Sequence, residues 1–447
     1  MQYSLLSNSL RMAVQNKKDK RIRLLVILLR ILVGGTFVLS GLSKSIDIWG
    51  FIYKIEQYFS VWSIDIHRQL VVVLATALSI GEFLLGGFIL FGCYRRVSVW
   101  LSAILMAGMT FFSIYLVIDN PVSDCGCFGE LITVGNWPTL IKNLLLCVGI
   151  YFLIKYNRRV KGFYNTYLNW TVGVALLAYV SIVAFVGCAF QPMADFRDFK
   201  VGTLLFAQDD ANVDVVYSRD GVTKRFSSDN LPDSTWTFVD VVENENSRLT
   251  LSIFGGDEEG DELTDEIASK TDKMLFVSIP DLGKVPTSAV TKVNGLKRIA
   301  SSDSAQFVVV TGSGADARQR WNGLSLNEYP LYTSDDTTLK ALVRGDVGLV
   351  YVTDGIIRWK MNADAFDNSQ LHLSDISATT VNFTWLNVIL AVVLLILKII
   401  DTVGVALKPR FYGKSRKKDV TLHSDLETST ESAYQVQNID SDETKEN

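Results

Sequence analysis

Long apolar runs separated by short polar stretches fill the first part of the chain. Segments 24–42, 70–92, 97–118, 139–155 and 169–190, and a distant sixth at 384–400, approach the roughly 20 apolar residues that carry a helix across a bilayer core. Residues 191–383 have a different pattern, with shorter apolar runs bounded by turn residues. Val213–Ser218 and Val222–Phe226 flank Arg219-Asp220-Gly221, a hairpin signal, and Thr235–Val242 and Arg248–Phe254 are rich enough in β-branched and aromatic residues for strands. Further on, Met274–Ile279 and Gln306–Thr311 read as strands, and Pro286–Ile299, Ala315–Trp321 and Thr337–Val343 as helices. Gly348–Thr353 and Ile356–Lys360 form a hairpin about Asp354-Gly355. The pattern predicts a polytopic α-helical membrane bundle plus a soluble α/β domain with a central mixed sheet and a β-rich lead-in.

Charge orients the spans. Basic clusters lie at 17–23, at Arg95-Arg96, at Lys155–Lys161 and at Lys408–Lys418. If every segment crosses and the N-terminus is cytoplasmic, all four clusters fall inside, as the positive-inside rule requires. Stretches 43–69, 119–138 and 191–383 then lie outside. The expectation is a multi-pass protein of the inner (cytoplasmic) membrane, with both termini cytoplasmic and the large domain periplasmic. No small-residue cleavage site follows the first run, so it reads as a retained helix. Trp49, Trp62, Trp137 and Trp385 near the outer ends suggest an interfacial aromatic belt. The tail 401–447 is basic and then acidic, and too polar to fold. Its basic stretch either binds anionic headgroups or only enforces orientation.

With 447 residues, 49% of them hydrophobic, and a mean hydropathy of +0.24, a single soluble domain is excluded. A net charge of -4 suggests no polyanionic partner, and nothing points to nucleic acid. The three His include no pair at ligand spacing, which leaves little for a metal site. There is no phosphate-binding glycine loop and no serine-hydrolase elbow.

The candidate chemistry centres on Cys125-Gly126-Cys127, in the polar loop Asp124–Glu130 between the third and fourth spans. A disulfide there would close a very small ring, and departures from preferred geometry make a disulfide reducible. The pair reads as redox-active, as a structural clip, as a lipid-facing pair of loop thiols, or as part of a metal site. Cys188, near the outer end of the fifth span, is either a third redox partner or a small packing residue; Cys93 and Cys147 read as packing. Arg30 and Glu82 are ionisable residues inside spans and are expected to pair, either to orient two helices or to line a proton or quinone pocket. Lys44 and Asp47 lie at the depth of the loop, where Lys44 would lower a thiol pKa. Gly34, Gly35, Gly41, Gly86 and Gly87 permit close helix contact.

The stretch Arg30-Ile-Leu-Val-Gly34-Gly35-Thr-Phe37-Val-Leu-Ser40-Gly41-Leu-Ser-Lys44, with Gly81-Glu82-Phe-Leu-Leu-Gly86 and Asp124-Cys125-Gly126-Cys127-Phe128-Gly129, resembles the MauE/DoxX family of membrane proteins, over roughly residues 20–160. The Cys-Gly-Cys-Phe-Gly element is similar to the MauE branch, associated with methylamine utilisation. The whole layout is similar to DoxX/MauE-like proteins of Bacteroidetes with an added extracytoplasmic domain. The resemblance implies a membrane bundle (1–160) tied to extracytoplasmic redox or protein maturation. It implies Cys125 and Cys127 as catalytic residues, a client protein or thiol–disulfide partner and, by a topological likeness to quinone-linked thiol oxidases, a quinone acceptor. A fifth span (161–192), the β-rich lead-in (193–270), a domain at 271–380 and the sixth span (384–400) follow. That domain resembles thioredoxin-like domains through Tyr329-Pro-Leu-Tyr332, Leu339–Arg344 and Val347–Gly355. It departs from them in having Pro280–Pro286 where Cys-x-x-Cys would stand and Val347 where a cis-proline would. A docking role is therefore expected for it. Two functions follow: a membrane thiol–disulfide oxidoreductase, or a non-enzymatic assembly scaffold with a structural Cys-Gly-Cys clip. Transport, the third, lacks an interrupted span.

Overall fold

The computed structural model describes residues 18–404, apart from 65, 123–124, 130, 132–133, 196, 207–212, 220–221, 228–231, 234, 244–250, 256–259, 327, 367–371 and 377–381. The tail 405–447, the Asp220-Gly221 turn and the first residues of the expected strand Arg248–Phe254 lie outside the described residues. The chain begins with α1 (Lys18–Ile46), α2 (Ile48–Val61), α3 (Arg68–Phe91), α4 (Val97–Asp119), α5 (Asn136–Tyr156) and α6 (Asn169–Ala189). It continues through β1 (Val213–Arg219), β2 (Val222–Ser227), β3 (Thr237–Glu243), α7 (Thr264–Ser269), β4 (Lys273–Ile279), α8 (Ser288–Ser302), β5 (Gln306–Thr311), α9 (Ala315–Ser325), β6 (Leu331–Thr333), α10 (Asp336–Leu342), β7 (Gly348–Thr353) and β8 (Ile356–Asn362). The last helix is α11 (Phe383–Gly404). Among the described residues, α1, α3, α4, α5, α6 and α11 are long and apolar enough to cross a membrane, which makes the chain a multi-pass membrane protein.

Small residues set the helix register. A Cβ on Gly41 would lie 2.4 Å from the Phe83 backbone nitrogen, and one on Gly86 would lie 2.5 Å from that of Val38. Helices α1 and α3 therefore touch backbone to backbone, as small-residue interfaces allow in lipid. Gly87 serves α6 instead, facing Leu176, and Gly35 faces open space. The same register separates Arg30 from Glu82. Gly34 lies beside Gly86 and Leu90, which places Arg30 against Gly92, while Gly41 lies beside Ser79 and Phe83. The expected Arg30–Glu82 pair is thus corrected: the two residues sit toward opposite ends of the bundle. Arg30 donates to Asn157 Oδ1 (2.8 Å), Lys161 O (3.0 Å) and Val160 O (3.0 Å), fastening the link between α5 and α6.

Helix α2 lies within 43–69, a stretch that the apolar pattern marks only as falling outside the spans. Asp47 caps it by accepting from Gly50 N at 3.0 Å. Ile48, Phe51, Ile52 and Ile55 give it a buried stripe at helical spacing. Trp49 is buried on this helix, with the Arg68 guanidinium 5.3 Å above its ring, so it is not part of a lipid-facing belt. Trp62, Trp137 and Trp385 are exposed.

Strands β2-β1-β3 form a small antiparallel sheet, and β6-β5-β4-β7-β8 a mixed one. In the mixed sheet β4 pairs parallel with β5 and antiparallel with β7. Side chains alternate between its two faces, as the pleat demands. Leu275, Val277, Val309, Leu349 and Tyr351 pack beneath α8 and α9. Met274, Phe276, Val308, Val310 and Val350 pack against α10. Asp354 and Gly355 both have positive φ, which suits the two-residue β7–β8 turn. Phe199, Leu205, Leu251, Ile253 and Ile267 join the α10 side, so much of the expected lead-in is integral to this sheet's core. Segment 251–254 is not a full strand: Phe254 alone bridges, to Thr333 and Glu262.

The sheet region is docked on the bundle through α2. Arg344 clasps Asp47 (Nη2–Oδ2 2.7 Å, Nε–Oδ1 3.0 Å), both buried. Tyr53 Oη donates to Gly345 O (3.0 Å), Lys284 reaches Glu56 (3.0 Å), and Arg68 bridges Glu56 and Asp346. Burial would raise the Asp47 pKa, but the Arg344 and Arg197 charges outweigh it and hold the carboxyl below its ordinary range.

Two outcomes are expected. Gly41→Ala destabilises by about 1–3 kcal/mol through overpacking, whereas Gly35→Ala is neutral, measured by thermal unfolding in detergent. Arg344→Ala leaves a buried carboxylate unpaired and costs about 3–5 kcal/mol. Because the Asp47 pKa is depressed, the docking stability is fully present above the unfolded value of about 3.9. It is lost as pH falls through the lower folded value, a loss that protease sensitivity of the docked domain would follow and that Asp47→Asn removes.

Candidate functional site

The loop between α4 and α5 is tied down at each cysteine. Asn120 ends α4 in the left-handed conformation, and Asn136 at the start of α5 donates to Asn120 Oδ1 (2.9 Å) and Val122 O (2.8 Å), closing the loop's base. Gly126 has φ +65°, and a Cβ there would lie 2.9 Å from Lys54 Cγ, so the intervening residue must be glycine. Gly129 N donates to Gly126 O (3.1 Å), making a turn over Cys127 and Phe128. Tyr58 Oη on α2 donates to Cys125 O (2.8 Å). The Ser40 hydroxyl on α1 lies 2.6 Å from Cys127 O and 2.7 Å from Glu82 Oε2, with one proton to share between them. Asp124 and Glu130 lie outside the described residues.

Beneath the loop, Lys44 Nζ sits 2.9 and 2.8 Å from the two Glu82 oxygens, with both side chains buried. Lys44, rather than Arg30, is therefore the partner of Glu82. A cleft enclosing about 370 Å³ of free space, its mouth included, opens between α1, α3, α4 and α5. Cys127, Lys44, Glu82, Lys142 and Asn143 supply its polar lining, and Phe37, Met106 and Met109 much of its apolar wall. Lys142 Nζ also lies 4.5 Å from the centre of the Phe128 ring. Asn143 donates to Ser113 Oγ (2.6 Å), while its buried Oδ1 has no partner among the described residues.

Cys125 and Cys127 are free thiols, hydrogen-bonded to one another. Cys125 is buried and Cys127 half-buried at the cleft. The Cys125 hydrogen bond, then Lys142 and Lys44, pull the Cys127 pKa below the ordinary thiol value against the opposing effect of burial. Donating that hydrogen bond and being buried raise Cys125. Lys44 thus acts on the thiol as the sequence suggests. Lys142 escapes the sequence reading, although a lone lysine in a span is itself a signal. Ser40 and Tyr58 carry no signal, since only the fold brings them to the loop.

Cys188 is not brought to the pair. It packs beside Ile48 and Trp49, and its carbonyl accepts from Trp49 Nε1 (2.9 Å), whereas Cys125 and Cys127 pack with Tyr58, Leu116 and Val122. Cys93 is buried, and Cys147 lies 3.3 Å from Thr110 Oγ1.

The bundle and its loop define a polytopic helical membrane protein with a paired-thiol loop closing one end. Residues 22–155 match the family model of the methylamine utilisation protein MauE. Residues 213–244, which span β1 to β3, match a domain of unknown function, DUF8463. No curated protein and no solved structure matches the chain.

Alkylation by iodoacetamide tests the electrostatics. With Cys188, Cys93 and Cys147 replaced, the modification rate of Cys127 should reach half its plateau at a pH below that of an ordinary thiol. Cys125→Ala and Lys142→Met should each move that midpoint upward, and an unmoved midpoint in both would remove the assigned causes.

Proposed function

We propose that this protein is a membrane thiol–disulfide exchange protein, with Cys127 as the exchanging sulfur and Cys125 as its resolving partner. The observation that carries the reading is a half-buried thiol, hydrogen-bonded by a second thiol and set beside two lysine ammonium groups. Such a setting enriches thiolate, the nucleophilic form. The distribution of basic clusters supports an extracytoplasmic loop and sheet region with cytoplasmic termini, where disulfides persist.

In the forward direction, Cys127 thiolate attacks a client disulfide. A Cys127–client bond forms and one client thiolate leaves. Cys125 then gives up its proton to the departing sulfur and attacks Cys127. This closes the Cys125–Cys127 disulfide, releases the second client thiol and passes two electrons to the client. Run in reverse, a client dithiol reduces the pair. An acceptor for those electrons would sit in the cleft beside Cys127. Its apolar walls with Lys142 and Asn143 have the chemistry to meet the ring and oxygens of a quinone at its mouth, and a quinone would supply a two-electron, two-proton sink there. Lys44 and Glu82 hold the cleft's shape, and Ser40 connects Glu82 to the Cys127 backbone.

Within the mixed sheet, the parallel pair β4 and β5 beside the antiparallel hairpin β7 and β8 supports reading this region as thioredoxin-like. With all five cysteines at positions 93 to 188, the domain has no thiol of its own. Its role in this reading is to hold the client near the loop. A structural clip in a maturation scaffold is the second reading, favoured by the Tyr58 and Ser40 bonds that pin both cysteine carbonyls.

Trapping in cells separates the two. Cys125→Ala removes the resolving thiol and should accumulate a reducible adduct between Cys127 and another protein, visible on a non-reducing gel. Cys125→Ala/Cys127→Ser should abolish it. A wild-type pair that is wholly oxidised, with no adduct in Cys125→Ala, would establish the clip.

A further inference from the structure

We propose that the end of the bundle opposite the thiol loop holds a binding site for the phosphate headgroup of an anionic membrane lipid. A cavity of about 1780 Å³, open mouth included, lies there between the α3–α4 link, the α5–α6 link and α11. Arg95, Arg96, Arg158, Lys161 and Lys398 line it against one carboxylate, Asp401. That carboxylate is already engaged, by Lys398 at 3.0 Å and by Asn165 Nδ2 at 2.6 Å. The carbonyls of the α5–α6 link are also satisfied. Arg30 takes Val160 O and Lys161 O, while Arg95 takes Val160 O (3.0 Å) and Arg158 O (3.3 Å).

This arrangement leaves the Arg96, Arg158 and Lys161 side chains with no hydrogen bond or ion pair among the described residues, facing a shared cavity. Asn169 adds an independent sign of a missing partner. It lines the cavity, is only 7% exposed, and its Oδ1 makes no hydrogen bond; its amide can present either end to a ligand. Clustered arginine side chains match the planar, multidentate geometry of a phosphate. The cavity sits at the ends of membrane-spanning helices, the level of lipid headgroups, and basic pockets between such helices bind them. A lipid there would join α11 to the bundle. That helix also packs through Leu386, Leu390, Leu394 and Leu397, with Tyr164 Oη donating to Leu394 O (2.9 Å) and Tyr179 Oη to Asn387 Oδ1 (2.5 Å).

The test uses the full-length protein in nanodiscs of phosphatidylcholine with or without phosphatidylglycerol, read by native mass spectrometry of retained lipid and by thermal stability. Wild type should retain phosphatidylglycerol and be stabilised by it. Arg96→Ala/Arg158→Ala/Lys161→Ala should lower retention by about tenfold or more, and keep the wild-type melting temperature in pure phosphatidylcholine. The single variant Arg158→Ala should give an intermediate loss. Equal retention by wild type and triple variant would overturn the site. Displacement of the lipid by millimolar inorganic phosphate would assign the cavity to a soluble phosphate compound and overturn the lipid assignment. Lipid binding that appears only after deletion of 419–447 would assign it to the chain's own acidic tail.

Discussion

Two opposite charges share the apolar interior of this bundle, and their pairing fixes how the first and third helices meet. An unpaired Lys44 or Glu82 would be costly at that depth. Together they satisfy each other through two contacts of 2.8 and 2.9 Å, on helices brought to backbone contact by Gly41 and Gly86. The packing supplies the closeness and the pair specifies the register, so neither is arbitrary once the other is set. The same pair forms the floor of the cleft under the thiol loop, and Ser40 joins it to the Cys127 carbonyl. A structural necessity of the bilayer thereby becomes the electrostatic environment of a thiol.

Helix α2 extends that order to the rest of the chain. Its Tyr58 holds the Cys125 carbonyl, while Asp47, Tyr53 and Glu56 bind the region around the mixed sheet. Loop and sheet are thus attached to one short, buried helix rather than to a flexible linker. The Asp47–Arg344 clasp is the strongest of these ties, a two-point arginine–carboxylate contact shielded from solvent. Through it the sheet region has a fixed place beside the thiols.

Much of the fold is legible in the sequence because bilayer length and pleat alternation leave direct marks. The spans follow from apolar length, and the β7–β8 hairpin from Asp354-Gly355. The helix α2 is not legible at the same level, since at 14 residues it is too short to register as a span, and only its Asp47 cap and stripe betray it. Of the site, Cys125, Cys127, Lys44 and Glu82 stand out by residue type. Their pairing does not, because depth counted from helix ends misses the register that Gly34, Gly41 and Gly86 impose, and depth alone pairs Glu82 with Arg30 instead of Lys44. Cys188 shows the same limit: nearness to a membrane face says nothing about which side of the bundle a thiol occupies. Segment 251–254 meets the chain at Thr333, a partner distant in sequence that local propensity cannot supply.

The midpoint potential of the Cys125–Cys127 pair, measured in glutathione redox buffers on the purified protein with the other three cysteines replaced, decides whether Cys127 exchanges. An exchanging pair stabilised as thiolate titrates reversibly above about −300 mV, within reach of cellular thiol couples. A pair that resists reduction until well below about −300 mV is a structural bond, and would contradict the assignment of Cys127 as an exchanging sulfur.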